Sequence, residues 1–397
     1  MYKIRQNSLF IFLILLFVVL TYVSPGFFQF FFGIPSTVYG FILLFIIYLV
    51  IALDIYIRKK ILYNNTIYII LSLIVLIILS AIINKTNIFK VLLYLNFALI
   101  PLSVVYLSGV ISRRQLLIKK WISSFFLIII LIQLPIVIIQ KYAYELLIPL
   151  SNANQNINGY DFMFGSFALK ADHALGFFLI IYLLKLINDY RSGELKTFPL
   201  FIVIYIATTV LIMESNLTKL TLILIAVYYI SIFIYKKINI FGLSVIVIVF
   251  FLSYSLAMTS STIKNQIEVV ANSLNNESYL KAVKGGYAKR PHVVIYQLQN
   301  EEFKWIGNGP YDYYNIIKGE FKNTFHFSQL IWFYNDLGLA GLILGLLISL
   351  MIIKNLNLSK ELSLLLMGVI LLYLFMTNVL GDISMMLSLL LLNNKIS

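Results

Sequence analysis

The 397-residue chain contains no cysteine. That excludes disulfides, thiolate metal sites and a cysteine nucleophile, and leaves the redox compartment open. Charge is scarce too: Asp, Glu, Lys and Arg make up 12% of the residues, about half the share in an average soluble domain. Acids are the rarer sign, 16 against 30 basic residues, and there are three histidines. No Walker loop, HExxH, DxD-type carboxylate pair or GxSxG stretch occurs, so kinase, zinc-protease and serine-hydrolase chemistry has no support. What is abundant is apolar: 61% of residues are hydrophobic and mean hydropathy is +0.94. Such a chain is an integral membrane protein; a soluble enzyme, a secreted domain and a disordered scaffold are excluded. In a soluble protein the net charge of +14 would suggest nucleic acid. Here Lys and Arg serve first to orient the chain in the bilayer, and no nucleic-acid partner is expected.

A bilayer crossing takes about 20 apolar residues. Apolar runs between charges predict about 12 transmembrane helices, near 8–23, 36–57, 66–84, 89–111, 121–140, 171–188, 197–214, 219–235, 239–257, 337–354, 361–377 and 381–392. They form an all-α polytopic membrane protein, one domain spanning 1–397. With a cytoplasmic amino terminus, 17 of the 30 basic residues fall on inner segments and five (Lys85, Lys90, Lys141, Lys170, Lys219) on short outer loops. That bias sets the orientation. Span one follows Lys3 and Arg5 as a signal peptide would, but Thr21-Tyr22-Val23-Ser24-Pro25 offers no small-residue cleavage site, so it is read as a span. Pro101 and Pro135 should kink spans four and five.

Inner loops are short, whereas the outer side has a loop over 141–170 and a long external loop between spans 9 and 10. Loops of that length are usually functional. The segment 258–336 is therefore expected to carry the chemistry, facing outward, away from ATP and nucleotide sugars. Within 325–341, Phe327, Leu330, Ile331, Tyr334 and Leu337 share one helical face, and His326, Gln329 and Asp336 the opposite one. This predicts an amphipathic helix on the outer membrane surface, leading through Gly338 into span ten. An imidazole of ordinary pKa near 6.5 suits proton abstraction there; the alternative is an interfacial histidine that merely caps or hydrogen-bonds.

Arg290, in Lys289-Arg290-Pro291-His292, offers a planar fork suited to phosphate, although a loop arginine is usually only solvated. Trp305-Ile306-Gly307-Asn308-Gly309-Pro310 is a tight-turn signal. Glu214-Ser215-Asn216-Leu217-Thr218-Lys219 places a cation at the outer edge of span eight, as a site or as a snorkelling lysine paired with Glu214. Gly165-Ser166-Phe167 precedes Asp172 and His173 at the start of span six, where polar groups line a cleft or cap the helix.

Taken in order, Gly-Ser-Phe before a span, Ser-x-x-x-Lys between two spans, a long outer loop with Arg290 and Ile-Gly-Asn-Gly, then His326 ahead of Leu337-Gly338-x-x-Gly341, the chain resembles the bacterial O-antigen polymerase and ligase superfamily, which includes the Wzy-type polymerases. The resemblance covers about residues 160–345 and the span count. It implies a GT-C-like glycosyltransferase in the bacterial inner membrane that uses an undecaprenyl-pyrophosphate-linked oligosaccharide as donor, with no metal or other cofactor. It places the catalytic base at His326 and pyrophosphate binding at Arg290 and Lys219, the last standing where the family commonly has arginine. Gln329, Asp336, His173 and Asp172 are secondary candidates. The implied product is a polymerised surface polysaccharide such as O-antigen, capsule or exopolysaccharide. The alternatives are a ligase that moves the finished glycan to another acceptor, or a transporter or flippase of lipid-linked sugars. Membrane lipid and other polysaccharide assembly proteins, a flippase or a chain-length regulator, are the implied partners.

Overall fold

The computed structural model describes residues 2–58, 65–113, 116–153, 157, 159, 162–213, 215–237, 303–313, 328–356 and 358–392. Every regular element among them is helical. Many of these runs are rich in isoleucine and valine, which favour strands in water. In lipid the backbone must satisfy its own hydrogen bonds, and a single apolar run does so only as a helix.

Along the described residues the helices are α1 (Tyr2–Tyr22), α2 (Pro25–Phe32), α3 (Ser36–Arg58), α4 (Asn65–Ile83), α5 (Ile88–Tyr94), α6 (Asn96–Arg113), α7 (Leu116–Tyr142), α8 (Tyr144–Leu147), α9 (Asp172–Arg191), α10 (Leu200–Ile212), α11 (Asn216–Lys237), α12 (Gln329–Asn355), α13 (Lys360–Met376) and α14 (Ile383–Ser388). Six helical stretches among the described residues are long and apolar enough to cross a membrane, or seven if α1 and α2, bent by 53°, count as one. The expected runs at 197–214 and 381–392 form shorter apolar helices, Leu200–Ile212 and Ile383–Leu392, and 239–257 lies outside the described residues. At 13 residues, α10 is about 20 Å long, short of the roughly 30 Å hydrocarbon layer.

α9 is the central helix. Of an 18-residue stretch of it, 72% is buried inside protein, against 33–50% for the same length in the other five long stretches, and its hydropathy is the lowest at 1.3. The two facts belong together: a helix shielded from lipid by its neighbours can carry polar groups. Its Lys185 ammonium pairs with Asp189 one turn on, both nearly buried.

α6 and α7 continue as helix through Pro101 and Pro135. Span four also has a one-residue interruption at Leu95, between α5 and α6, within a single stretch from Ile88 to Val110. Pro135 has no N–H for the carbonyl of Leu131, and the Tyr205 hydroxyl of α10 donates to that carbonyl from the side. A neighbouring helix thus satisfies the group that the proline frees.

Helix ends fall into two sets. At one end Arg191 Nη1 meets Glu361 at 2.7 Å and its guanidinium stacks 4.8 Å from the Tyr229 ring, while Asn355 Nδ2 donates to Thr66 Oγ1 at 2.7 Å. At the other, Tyr22 OH donates to Ser384 O, Asn84 Nδ2 to Gly307 O, and Gln140 Nε2 to Gly165 O. Reporter fusions after Lys120, Lys196 and Lys237 are expected to read cytoplasmic, and fusions at Ser151 and Asn308 external. A cytoplasmic signal at Asn308 would put the second set of ends on the wrong side for chemistry outside the cell.

Candidate functional site

At this second end α9, α11 and α13 converge on a chain of polar side chains. Asp172 opens α9, where the positive end of the helix dipole favours a carboxylate. His173 follows, its Nδ1 2.8 Å from Ser215 Oγ and 3.3 Å from Asp172 Oδ2. Thr218 Oγ1 donates to Ser215 Oγ at 2.9 Å and lies 3.1 Å from the Tyr373 hydroxyl of α13. Ser215, Thr218 and Tyr373 are buried; the side chains of His173 and Asp172 remain 31% and 17% exposed, so this pair faces the rim. In a nucleophilic triad the carboxylate and the hydroxyl address different ring nitrogens. Here Asp172 and Ser215 both lie against Nδ1.

Lys219 stands one helical turn beyond Ser215 and is partly exposed, with no ion-pair partner among the described residues. Close by, Lys141 Nζ donates to the Ile212 carbonyl at 3.3 Å. Lys141 at the end of α7, His173 at the start of α9 and Lys219 in the first turn of α11 thus all belong to this end of the bundle. Glu214, the expected partner of Lys219, lies outside the described residues.

The segment leading into α9 is held from below by two glutamines seven residues apart on α7. Gln133 Oε1 accepts from Ser166 N at 3.0 Å and its Nε2 donates to Ser166 Oγ at 2.8 Å. Gln140 makes two 2.8 Å bonds, one to the N–H and one to the carbonyl of Gly165. The Gly-Ser-Phe stretch is thus a strap tied across the bundle. Gln133 and Gln140 were not singled out in the sequence; two buried amides on one face of an apolar run were the available signal.

Gln329 and Asp336 are not on a water-facing surface. They are 1% and 0% exposed, while Leu330, Ile331 and Tyr334 of the opposite face are only half-buried. The expected surface helix is not found: its polar side packs into protein, and of its apolar side Leu337 is buried as well. Gln329 Oε1 accepts from the N–H groups of Val379 and Leu380 at 2.8 and 3.0 Å. The Asp336 carboxylate accepts four hydrogen bonds, from Tyr311 N (2.8 Å), Tyr313 N (2.7 Å), Trp332 Nε1 (2.6 Å) and Asn335 Nδ2 (2.9 Å). It clamps the loop 303–313 onto α12 and holds Tyr311 in a left-handed conformation, φ 64°, that a residue with a Cβ rarely adopts. Burial, then the nearby Asp336 carboxylate, push the Tyr311 phenol up to about 12, so it stays neutral at physiological pH.

Gly338, through which the surface helix was expected to lead into span ten, is a kink inside α12 with φ 73°. A Cβ there would lie 2.4 Å from Trp305 O, and one on Gly307 would lie 2.2 Å from Asn335 O. The two glycine motifs of the sequence are therefore opposite halves of one backbone contact, in which Asn308 N and Gly309 N donate to the carbonyls of Asn335 and Asp336. His326 and Arg290 lie outside the described residues.

The structure thus brings Asp172, His173 and Lys219 to one corner, and Gln329 and Asp336 to the neighbouring clamp. The α13 end joins them: Tyr373 bonds Thr218, and Thr377 O accepts from Gln329 N at 3.2 Å. No protein-family model matches the sequence, and no curated protein does. What fold and site define together is a multi-span α-helical membrane protein with a polar belt at one end of its bundle.

Proposed function

We propose that this protein is a membrane glycosyltransferase that polymerises undecaprenyl-pyrophosphate-linked oligosaccharides outside the bacterial inner membrane, with a GT-C-like bundle of twelve crossings. The observation that carries the reading is the gathering at one bundle end of the segments on which the resemblance rests: the strap at 165–167, Ser215 with Lys219, and the paired turns at 306–309 and 337–341. A lipid pyrophosphate is a good leaving group, so elongation needs no ATP. The acceptor hydroxyl oxygen forms a bond to the anomeric carbon of the donor as the bond from that carbon to the pyrophosphate breaks. The acceptor proton goes to a base and the electron pair leaves with the phosphate. His326 is assigned as the base. Arg290 and Lys219, supported by Lys141, stabilise the leaving pyrophosphate. The seventeen-to-five basic bias supports the orientation.

The balance of this reaction is its test. Incubated with the lipid-linked repeat alone, the purified protein is expected to release one lipid pyrophosphate for each glycosidic bond formed, with a metal chelator present as without it. Substrate that crosses a vesicle membrane with its pyrophosphate bond intact would instead favour the transporter reading.

A further inference from the structure

The link between α1 and α3 carries no charge. From Gln6 to Leu53 there is not one Asp, Glu, Lys, Arg or His, whereas the link from α4 to α5, at the end of the bundle that holds the candidate site, exposes Lys85. α2 lies in this uncharged stretch, bent by 53° from α1. Its eight residues reach about 12 Å, too short to cross the hydrocarbon layer. The bond from Tyr22 to Ser384 and the contacts of Gly26 with the strap place α2 at the candidate-site end.

One face of α2 packs inward through Gly26, Gln29 and Phe30. On the other, Phe27, Phe31 and Phe32 are 53%, 38% and 63% exposed. With the half-buried Phe28 they form a plate of four rings, neighbouring centroids 5.0–5.8 Å apart. Contiguous exposed apolar rings of this kind mark a surface that meets a partner or a membrane. Phe28 also packs 6.1 Å from the Tyr39 ring, so the plate runs on to α3, whose Val38, Phe41 and Phe45 are exposed in turn. Tyrosine and tryptophan settle at the level of the headgroups, whereas the exposed rings of α2 are all phenyl and have no polar end to keep there.

Protein groups serve the backbone on both sides of α2. At the bend the Tyr39 hydroxyl donates to Leu20 O at 2.6 Å, and Ser166 Oγ donates to Tyr22 O. Past the helix, Gly33 N returns to Gln29 O at 3.2 Å. Asn152 caps the next two carbonyls, its N–H donating to Phe30 O at 2.8 Å and its Nδ2 to Phe31 O at 2.6 Å. A helix end in water leaves such carbonyls to solvent, whereas one in hydrocarbon needs them filled. The inward face holds the strap in the same way: Gly26 N donates to Ser166 O at 3.4 Å, Gln29 Oε1 accepts from Leu169 N at 2.8 Å, and a Cβ on Gly26 would lie 2.4 Å from Phe167 O.

We infer that α2 is an in-plane element sunk in the acyl edge of the membrane leaflet at the candidate-site end, its phenyl plate covered by lipid chains and its opposite face carrying the strap. The membrane thereby fixes the depth of the strap. The inference goes beyond the glycosyltransferase reading and stands apart from it, because no glycan enters its test. Since the chain has no cysteine, a single introduced thiol takes a nitroxide label with no other change to the sequence. In liposomes, labels on Phe27→Cys, Phe31→Cys and Phe32→Cys are expected to relax with dissolved oxygen and to lose relaxation by a water-soluble nickel chelate. They should match a label on Phe45→Cys in α3 and differ from one on Lys196→Cys, which is exposed between α9 and α10. Chelate access equal to that at Lys196 would put the plate in water, and exclusion of both reagents would put protein over it, a second copy included; either result overturns the inference. On the unmodified chain, a diazirine carried on a lipid acyl chain is expected to mark residues 27–32. Labelling of α3 without any label on 27–32 would also overturn it.

Discussion

Asp336→Ala is expected to destabilise the folded protein by about 3–5 kcal/mol, the cost of leaving several buried donors without an acceptor once the loop has relaxed. The reason is the number of donors left behind. Two backbone N–H groups, the Trp332 indole and the Asn335 amide all end on this carboxylate. Each unsatisfied donor costs about 1–3 kcal/mol, partly recovered by relaxation of the loop. Asp336→Asn should be milder, because one oxygen still accepts while the new NH2 opposes the donors on the other side. Thermal unfolding in detergent, followed by tryptophan fluorescence, reads the loss through Trp305 within the clamped loop and Trp332 on α12, whose indole donates to Asp336. Limited proteolysis should also cut between residues 303 and 313 in the alanine variant. A melting curve superimposable on wild type would show that the clamp contributes nothing.

His326→Ala is expected to insert normally and to lose polymer synthesis by about 100-fold or more, the usual contribution of a general base. His292→Ala, with a histidine removed from the same long loop, should stay near wild type. The pairing separates loss of a base from general disturbance of the loop. Near-normal synthesis by the His326 variant would leave His173, whose Nδ1 is fixed by Ser215 and Asp172, as the histidine at this end of the bundle to test next.

Much of the bundle was legible because hydropathy has one dominant meaning in lipid. The run expected at 171–188 is α9 at Asp172–Arg191, and that expected at 66–84 is α4 at Asn65–Ile83. Glycine was legible too: Gly338, read as the junction into span ten, is a kink with positive φ. What periodicity cannot tell is which medium a face meets. The face of Gln329 and Asp336 read as water-facing under the rule for soluble helices, and in the structure it packs against protein. Nor does spacing reveal pairings between distant residues. His173 and Ser215 are 42 positions apart, and Ser80 donates to the Asp336 carbonyl across 256. Tyr205 serving the carbonyl that Pro135 leaves open is of the same kind, for its partner sits on another helix.

The most direct measurement is product length from a single substrate. Purified protein reconstituted in liposomes and given one species of lipid-pyrophosphate-linked repeat unit, with nothing else to glycosylate, should yield a ladder whose rungs differ by one repeat, because a polymerase takes the same molecule as donor and acceptor. Transfer of an unextended block only after a different acceptor is supplied would make the protein a ligase. Substrate left intact under both conditions by properly folded protein would contradict the glycosyltransferase account itself.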